Sequence, residues 1–120
     1  WSEQGAGYAS LAEAKAFLLA NGFKAPDLTL VNPRKTPAAM AKVKGDLVTS
    51  FFSCGFHYPV GDYVDLMRAT MEAGGTVILD LRGRYLAAPD AALTRLIEDA
   101  DIETLIEMPK SRRMAFRNPA

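Results

Sequence analysis

The longest apolar runs of this chain have the length of β-strands, and they alternate with segments of helical periodicity. Residues 47–56 and 76–81 form the longest runs, and both are far shorter than the ~20 apolar residues that cross a bilayer. Residues 60–73, which lie between them, repeat apolar side chains at helical spacing. A strand, a helix and a second strand in succession predict a crossover unit with parallel strands. The chain is therefore expected to have an α/β fold.

Capping and turn residues place the boundaries of the predicted elements. Ser10 and Glu13 have the spacing of a capping box, which begins a helix, and Asn21-Gly22 ends it. The predicted elements, in chain order, are a helix after Ser10, a strand at 28–31, a helix from Thr36 to about Val43, a strand at 47–52, a helix at 60–73, a strand at 77–81, a helix after Asp90, and an antiparallel hairpin of strands 102–107 and 113–117. The inward face of the third helix is expected to contain Tyr63, Val64, Met67, Thr70 and Met71.

Length and charge limit the class of protein. With 120 residues, the chain is expected to form one domain with a core of its own. Its 14 Lys and Arg residues balance its 14 Asp and Glu residues, which argues against a dedicated nucleic-acid or anionic-membrane binder. Cys54 is the only cysteine, which excludes an internal disulfide and fits a reducing compartment. No secretory leader is visible, so we expect a soluble, cytoplasmic protein.

Ligands of a parallel sheet bind beyond the carboxyl ends of its strands, where loops and helix N-termini meet. Residues 32–36, 53–59 and 80–85 fall at such ends. The second segment is the richest, because it combines a thiol, an imidazole and a phenol. His57, the only histidine, is a candidate general base, since imidazole suits proton transfer near neutral pH. The alternative is a histidine that packs between aromatic rings and hydrogen-bonds the backbone.

Two single residues near these strand ends have competing interpretations. Cys54 has no second histidine to serve as its base, so a small buried apolar residue is favoured over a nucleophile. One His and one Cys also do not form an ordinary zinc site, so no metal is expected. Asp80 either holds a ligand or caps its turn and pairs with Arg82 or Arg84, and the sequence leaves both open.

Two clusters have simpler interpretations. Lys110, Arg112, Arg113 and Arg117 make the hairpin locally basic, and they are expected to face water. Residues 5–7, which read Gly-Ala-Gly, precede a helix, but too few residues stand before them to form the strand of a phosphate-binding loop. No nucleotide-binding fingerprint is therefore expected.

Several stretches taken together are similar to one known family. They are Asp-Leu-Val-Thr-Ser at 46–50, the His57-Tyr58 loop, Gly74-Gly75 before the strand at 76–79, and the terminal strand at 112–117. In this combination the chain resembles the C-terminal half of a class I S-adenosylmethionine-dependent methyltransferase. Residues 56–59, with the Gly-Tyr pair at 7–8 and the helix end at 20–22, are most similar to the sugar O-methyltransferase branch of that family.

The resemblance implies a partial Rossmann-like sheet with helices on its faces and a C-terminal antiparallel hairpin. Residues 28–31, 47–53 and 76–81 would be the third, fourth and fifth strands of that fold. The family's first two strands, its glycine-rich cofactor loop and the acidic residue after its second strand would precede Trp1. We therefore expect residues 1–120 to be one N-terminally incomplete domain. Its third and fourth strands either pair directly or leave an edge for another chain.

The resemblance also implies roles for five residues. Asn32 would lie near the adenine of S-adenosylmethionine, and Ser53 and Cys54 near its methionine portion and methyl group. His57 and Tyr58 would line the acceptor side, where His57 deprotonates or orients a hydroxyl of a small-molecule acceptor. The chain would then be part of an O-methyltransferase, inactive by itself, that associates as a dimer or swapped dimer.

Two other functions are left open. A non-catalytic α/β interaction module would use the same sheet to dimerise. A fragment that binds sugar or phosphate would use Arg34, Lys35 and the N-terminus of the helix at Thr36. None of these functions implies a nucleic-acid or membrane partner.

Overall fold

The computed structural model describes residues 10–119, so the Gly-rich segment at 5–7 and the Gly-Tyr pair at 7–8 lie outside the described residues. The chain divides into two compact units, residues 1–32 and 33–120. The expectation of a single, N-terminally incomplete domain stays a prediction.

Between residues 10 and 32, the first unit contains one α-helix, α1 (Leu11–Ala20), which begins as the sequence predicts. The Glu13 amide donates to Ser10 Oγ at 3.2 Å, and the Ser10 amide donates to Glu13 Oε2 at 2.7 Å. These reciprocal bonds satisfy two amides that the first turn of a helix leaves without a partner. The helix ends before Gly22, whose φ of +95° suits a residue without a side chain. The capping-box prediction is confirmed.

The predicted strand at residues 28–31 is not formed. A 3-10 turn at Ala25–Asp27 precedes it, and the backbone that follows is irregular. The prediction rested on β-propensity, but a strand exists only where a neighbour accepts and donates its backbone hydrogen bonds. No sheet among residues 10–119 includes this segment, so it does not pair directly with the strand at Leu47–Ser50.

The second unit contains all four strands of the described chain. Its helices and strands are α2 (Pro37–Met40), β1 (Leu47–Ser50), α3 (Val64–Glu72), β2 (Thr76–Arg82), α4 (Gly83–Ala87), α5 (Ala91–Ile97), β3 (Asp101–Glu107) and β4 (Ser111–Arg117), with a 3-10 turn at Val60–Asp62 before α3. α2 is shorter than predicted, since it ends at Met40 rather than near Val43. α4 was not predicted.

The four strands form one mixed sheet in the order β1-β2-β4-β3. β1 and β2 are parallel and are joined by α3, which is the crossover unit that the sequence predicts. β3 and β4 form the predicted antiparallel hairpin, and β4 returns to pair with β2, so that Asp80 lies opposite Arg113. The α/β class is confirmed.

The core lies between the sheet and the helices α3 and α5. Four of the five residues predicted to face inward, Val64, Met67, Thr70 and Met71, are the buried positions of α3. The fifth, Tyr63, precedes the helix as its N-cap residue and is half-buried. The buried side chains of α3 pack with α5 and with one face of β2, where Val77, Leu79 and Leu81 are fully buried. Alternate residues of a strand face the same side, so these three side chains share that face of the sheet.

β1 ends two residues earlier than the sequence predicts. The apolar run continues through Phe51 and Phe52, but Phe52 has a φ of +52°, which is the left-handed region. Such a conformation turns the chain out of the sheet and is strained for a residue with a side chain, typically by about 1–3 kcal/mol. The strain falls where the chain enters the loop with the richest set of reactive side chains.

Candidate functional site

The loop after β1 is closed by its own backbone hydrogen bonds. The carbonyl oxygen of Ser53 accepts from the amides of Phe56 and His57, both at 2.9 Å, and from that of Tyr58 at 3.3 Å. The Gly55 amide in turn donates to the Tyr58 carbonyl at 2.7 Å. These bonds place His57 at the exposed tip of the loop, while Tyr58 is half-buried.

Gly55 allows this loop to lie against the end of β2. Its φ is +84°, and a Cβ at this position would stand 2.8 Å from Cδ2 of the fully buried Leu81. No real side chain fits at that distance, and the left-handed backbone itself favours glycine. The close contact seats the loop beyond the carboxyl ends of β1 and β2, which is the edge where the sequence predicts a ligand site.

A cavity of about 450 Å³ opens between this loop and the residues that follow β2. Its lining includes Gly55, Phe56, His57, Tyr58, Pro59, Arg82, Arg84, Tyr85 and Ala88. The structure therefore brings together His57 and Tyr58, the two residues expected on the acceptor side. Burial raises the pKa of the Tyr85 phenol, so Tyr85 is a neutral group in this wall.

Ser53 and Cys54 line a different cavity, of about 220 Å³, together with side chains of β1 and α3. Cys54 is buried, and its amide donates to Ser50 Oγ at 2.8 Å. Burial, with smaller contributions from the charges of Asp62 and Asp90, raises the pKa of the Cys54 thiol to about 12. A thiol that stays protonated at neutral pH is not a nucleophile. The interpretation of Cys54 as a small buried residue is confirmed.

The residues expected to hold S-adenosylmethionine do not form a site large enough for the whole cofactor. The cavity beside Ser53 and Cys54, at about 220 Å³, is smaller than the roughly 300–1,000 Å³ of small-molecule sites. Asn32, the residue expected near the adenine, belongs to the first compact unit, whereas Ser53 and Cys54 belong to the second. The cavity beside Ser53 and Cys54 is thus too small to enclose the whole cofactor.

The partner of Asp80 is neither Arg82 nor Arg84, as the sequence suggests, but Arg113. Asp80 is fully buried, and its two carboxylate oxygens accept from Arg113 Nε at 2.8 Å and Nη2 at 3.0 Å. The Arg113 guanidinium also lies 4.2 Å from the centre of the Phe51 ring. Because both oxygens are engaged by one guanidinium, Asp80 is a structural residue of the sheet rather than a ligand.

The basic residues of the hairpin differ in their surroundings. Arg112 pairs with Glu107, and Arg117 pairs with Glu103, both at 3.1 Å on exposed surface. The expectation of a hairpin that faces water is therefore confirmed for these two arginines. Arg113 instead turns to the buried Asp80, because it lies opposite that residue in the sheet.

The arrangement around Arg34 does not favour the phosphate-binding alternative. Arg34 Nε donates to an Asp62 carboxylate oxygen at 3.2 Å, which places a negative charge where the phosphate would bind. The helix that follows Thr36 has four residues, and the Thr36 side chain makes no capping bond to it. So short a helix has too few aligned peptide dipoles to attract an anion strongly.

Sequence reasoning missed Arg82 and Arg84 as wall residues of the cavity at His57. They follow β2 directly, and the segment 80–85 was recognised as a strand end, but these arginines were considered only as partners for Asp80. Asp80 pairs with Arg113 instead, and Arg82 and Arg84 are lining residues of the cavity.

Residues 10–119 contain neither a candidate metal site nor a membrane-spanning helix. No group of three or more His, Cys, Asp or Glu side chains is arranged to hold a metal ion. No helix in this part of the chain combines the length and the apolar character needed to cross a membrane.

Comparisons of this chain with protein-family models, with curated proteins and with solved structures gave no match.

Proposed function

We propose that this chain is the C-terminal part of an S-adenosylmethionine-dependent O-methyltransferase that acts on a hydroxyl acceptor, with a sugar as one candidate. The observation that carries the proposal is the position of His57 and Tyr58 on one cavity beyond the carboxyl ends of a parallel strand pair. The antiparallel hairpin that completes the sheet supports it, because the resemblance implies such a hairpin at the C-terminus.

In the proposed reaction, His57 acts on the acceptor hydroxyl. Its exposed position at the loop tip lets its imidazole reach a hydroxyl in the cavity of about 450 Å³, and either take its proton or hold it in line. Tyr58, half-buried beside it, forms part of the acceptor wall. The bound cofactor supplies an electrophilic methyl group. Holding the hydroxyl in the correct direction contributes to the rate by proximity.

Ser53, Cys54 and Asn32 are the residues of this chain proposed to contact the cofactor. The first two border a cavity of about 220 Å³, which is too small for the whole cofactor and is proposed to take its methionine portion. The proposal therefore includes weak cofactor binding by these 120 residues, with the glycine-rich loop of the family supplying most of the affinity.

The cofactor part of the proposal is tested by calorimetric titration of the 120-residue chain with S-adenosylhomocysteine. We expect a Kd weaker than about 100 μM, since the available cavity holds a fraction of the ligand. Micromolar binding would contradict the statement that most of the affinity lies outside these residues.

The catalytic part is tested with His57→Ala in a protein that joins this chain to the cofactor loop of the family. We expect kcat to fall by about 10²–10⁴-fold, the usual effect of losing a general base. Thr94→Ala, an exposed substitution on α5, is the matched control and should leave kcat unchanged. Turnover within threefold of the parent in His57→Ala would exclude His57 as the catalytic base.

A second candidate function is a non-catalytic module that dimerises or binds a partner through its sheet. The observation that favours it is exposed apolar side chains on both edge strands, such as Leu47 on β1, 58% exposed, and Ile106 on β3, 47% exposed. Such a module would keep its binding after His57→Ala, which separates it from the enzyme.

A further inference from the structure

A second cavity, of about 620 Å³, adjoins the one at His57. The two share Phe56, Arg82 and Arg84 in their walls. The larger cavity is completed by the turn of the β3-β4 hairpin, which contributes Pro109, Lys110 and Ser111. Its volume falls within the roughly 300–1,000 Å³ of small-molecule sites.

The charge of this cavity has one sign. Arg82, Arg84 and Lys110 line it, and no Asp or Glu is among its lining residues. Within the part of the chain from 10 to 119, none of these three side chains forms an ion pair with a carboxylate. The arginines of the hairpin and of α5 do form such pairs. Three cations without a compensating carboxylate raise the local concentration of anions.

The sheet register brings these three residues together. Arg82 pairs with Ser111 at the end of the β2-β4 ladder, and the Gly83 amide donates to the Lys110 carbonyl at 2.9 Å. The hairpin turn is thereby fixed to the end of β2, so Lys110 is held beside two arginines that precede it by 28 and 26 residues.

The Arg82 guanidinium is also held in place before any ligand binds. Its Cζ atom lies 4.8 Å from the centre of the Phe56 ring, and Phe56 packs edge-to-face on Phe52 with ring centres 5.5 Å apart. Stacking on an aromatic face fixes the plane of a guanidinium while leaving its N–H groups free to donate. A planar fork of donors that is already oriented suits the oxygens of a phosphate.

We propose that the cavity formed by Arg82, Arg84 and Lys110 binds the phosphate group of a small phosphorylated molecule. A phosphate monoester carries close to two negative charges at neutral pH and several acceptor oxygens, which match three cations better than a single carboxylate does. The remainder of the ligand extends into the adjoining cavity, toward His57 and Tyr58. The zero net charge of the chain favours a small ligand over a nucleic acid. This site goes beyond methyl transfer and does not depend on it.

The test is a titration of the ¹⁵N-labelled 120-residue chain with glucose 6-phosphate, followed by amide chemical shifts at constant ionic strength. We expect saturable shifts at Gly83, Arg84 and Ser111 and a Kd below about 1 mM. Arg84→Gln should weaken binding about tenfold, and Arg82→Gln with Lys110→Gln should abolish it. Inorganic phosphate should compete for the same amides, whereas glucose should not.

Matched controls separate a built site from general attraction. Arg95→Gln, on α5, and Lys44→Gln remove the same charge outside both cavities, and each should leave the Kd unchanged. Equal losses in Arg84→Gln and Arg95→Gln would overturn the proposal, as would the absence of saturable shifts at about 10 mM ligand. Tighter binding of a single-stranded oligonucleotide, in proportion to its phosphates, would overturn it in favour of a nucleic-acid surface. None of these outcomes depends on a methyl donor, so the two proposals succeed or fail separately.

Discussion

At the scale of single residues, Asp80 shows how a charge is accommodated inside the sheet. Its side chain is fully buried, yet both carboxylate oxygens accept hydrogen bonds from the guanidinium of Arg113. Arg113 is itself covered on one side by the Phe51 ring. A paired buried charge of this kind adds little net stability, but removal of one partner leaves the other without compensation.

Asp80→Ala is accordingly expected to destabilise the protein by about 3 kcal/mol. This is the low end for a buried pair, because the Arg113 side chain keeps some contact with water, being 25% exposed. Urea denaturation measures the free energy of unfolding. Glu103→Ala is the control, since it breaks an exposed pair with Arg117 and should change that free energy very little. Equal effects of the two substitutions would contradict the structural role of Asp80.

Cys54 gives the protein a dependence on alkaline pH. Its pKa in the folded chain is about 12, above the ordinary 9.0 of a thiol, chiefly because of burial. The folded state therefore holds this proton more tightly than the unfolded state. The resulting stability is complete below pH 9 and is lost as pH rises toward 12.

The free energy of unfolding should thus fall between pH 9 and pH 11, and the fall should be shallower in Cys54→Ala. Each pH unit in which only the unfolded thiol ionises removes at most about 1.4 kcal/mol. Tyr63, whose pKa burial raises to about 12, adds to the slope in both proteins. Urea denaturation at a series of pH values under reducing conditions measures the slope of the free energy of unfolding against pH. Identical slopes for the two proteins would show that the thiol does not contribute.

At the scale of elements, the junctions of β2 are the most constrained. At its start, Gly75 lies where a Cβ would stand 2.7 Å from both the Asp46 carbonyl oxygen and Thr70 Cγ2. This contact packs the end of α3 and the start of β1 against the first residues of β2. At its other end, Gly55 allows the His57 loop to touch Leu81.

Gly75→Ala should therefore destabilise the fold by about 1–3 kcal/mol, as overpacking against backbone does. The control is Gly61→Ala, since its nearest neighbour beyond the adjoining residues would be the Ala92 Cβ at an ordinary 3.7 Å. Thermal unfolding followed by circular dichroism compares the two. A Tm for Gly75→Ala equal to that of Gly61→Ala would show that the junction can relax.

Elements that are specified by sequence patterns within their own residues were predicted well. The buried face of α3 follows from spacing alone, and the hairpin follows from two strands joined by a short turn. The strand expected at 28–31 failed because its formation depends on a pairing partner. The loop at 53–59 was recognised as a candidate site, but its division between two cavities depends on how it packs against β2 and α3.

At the scale of the whole molecule, both edges of the sheet are open within the described residues. β1 and β3 are its outer strands, and every residue of β3 is exposed, including Ile102 and Ile106. Open edges with apolar side chains promote pairing between chains. We therefore propose that the chain self-associates, under either proposed function.

We expect light scattering to show a dimer at micromolar concentrations, with a monomer of 13.0 kDa appearing on dilution. Leu47→Lys should favour the monomer if β1 is the interface, and Ile106→Lys if β3 is, because an edge lysine opposes pairing. Thr94→Lys, on exposed α5, is the control. A sharp monomer peak at every concentration would contradict the prediction.

The sequence by itself determined the α/β class, the inward face of α3, the chemistry of the loop at 53–59 and the inert character of Cys54. These follow from periodicity, turn residues and composition, which are local properties. Only the tertiary structure decided that Asp80 pairs with Arg113, and that Lys110 joins Arg82 and Arg84 around one cavity. Both results depend on the register of β4 against β2. That register is set when side chains that are far apart in the sequence pack together.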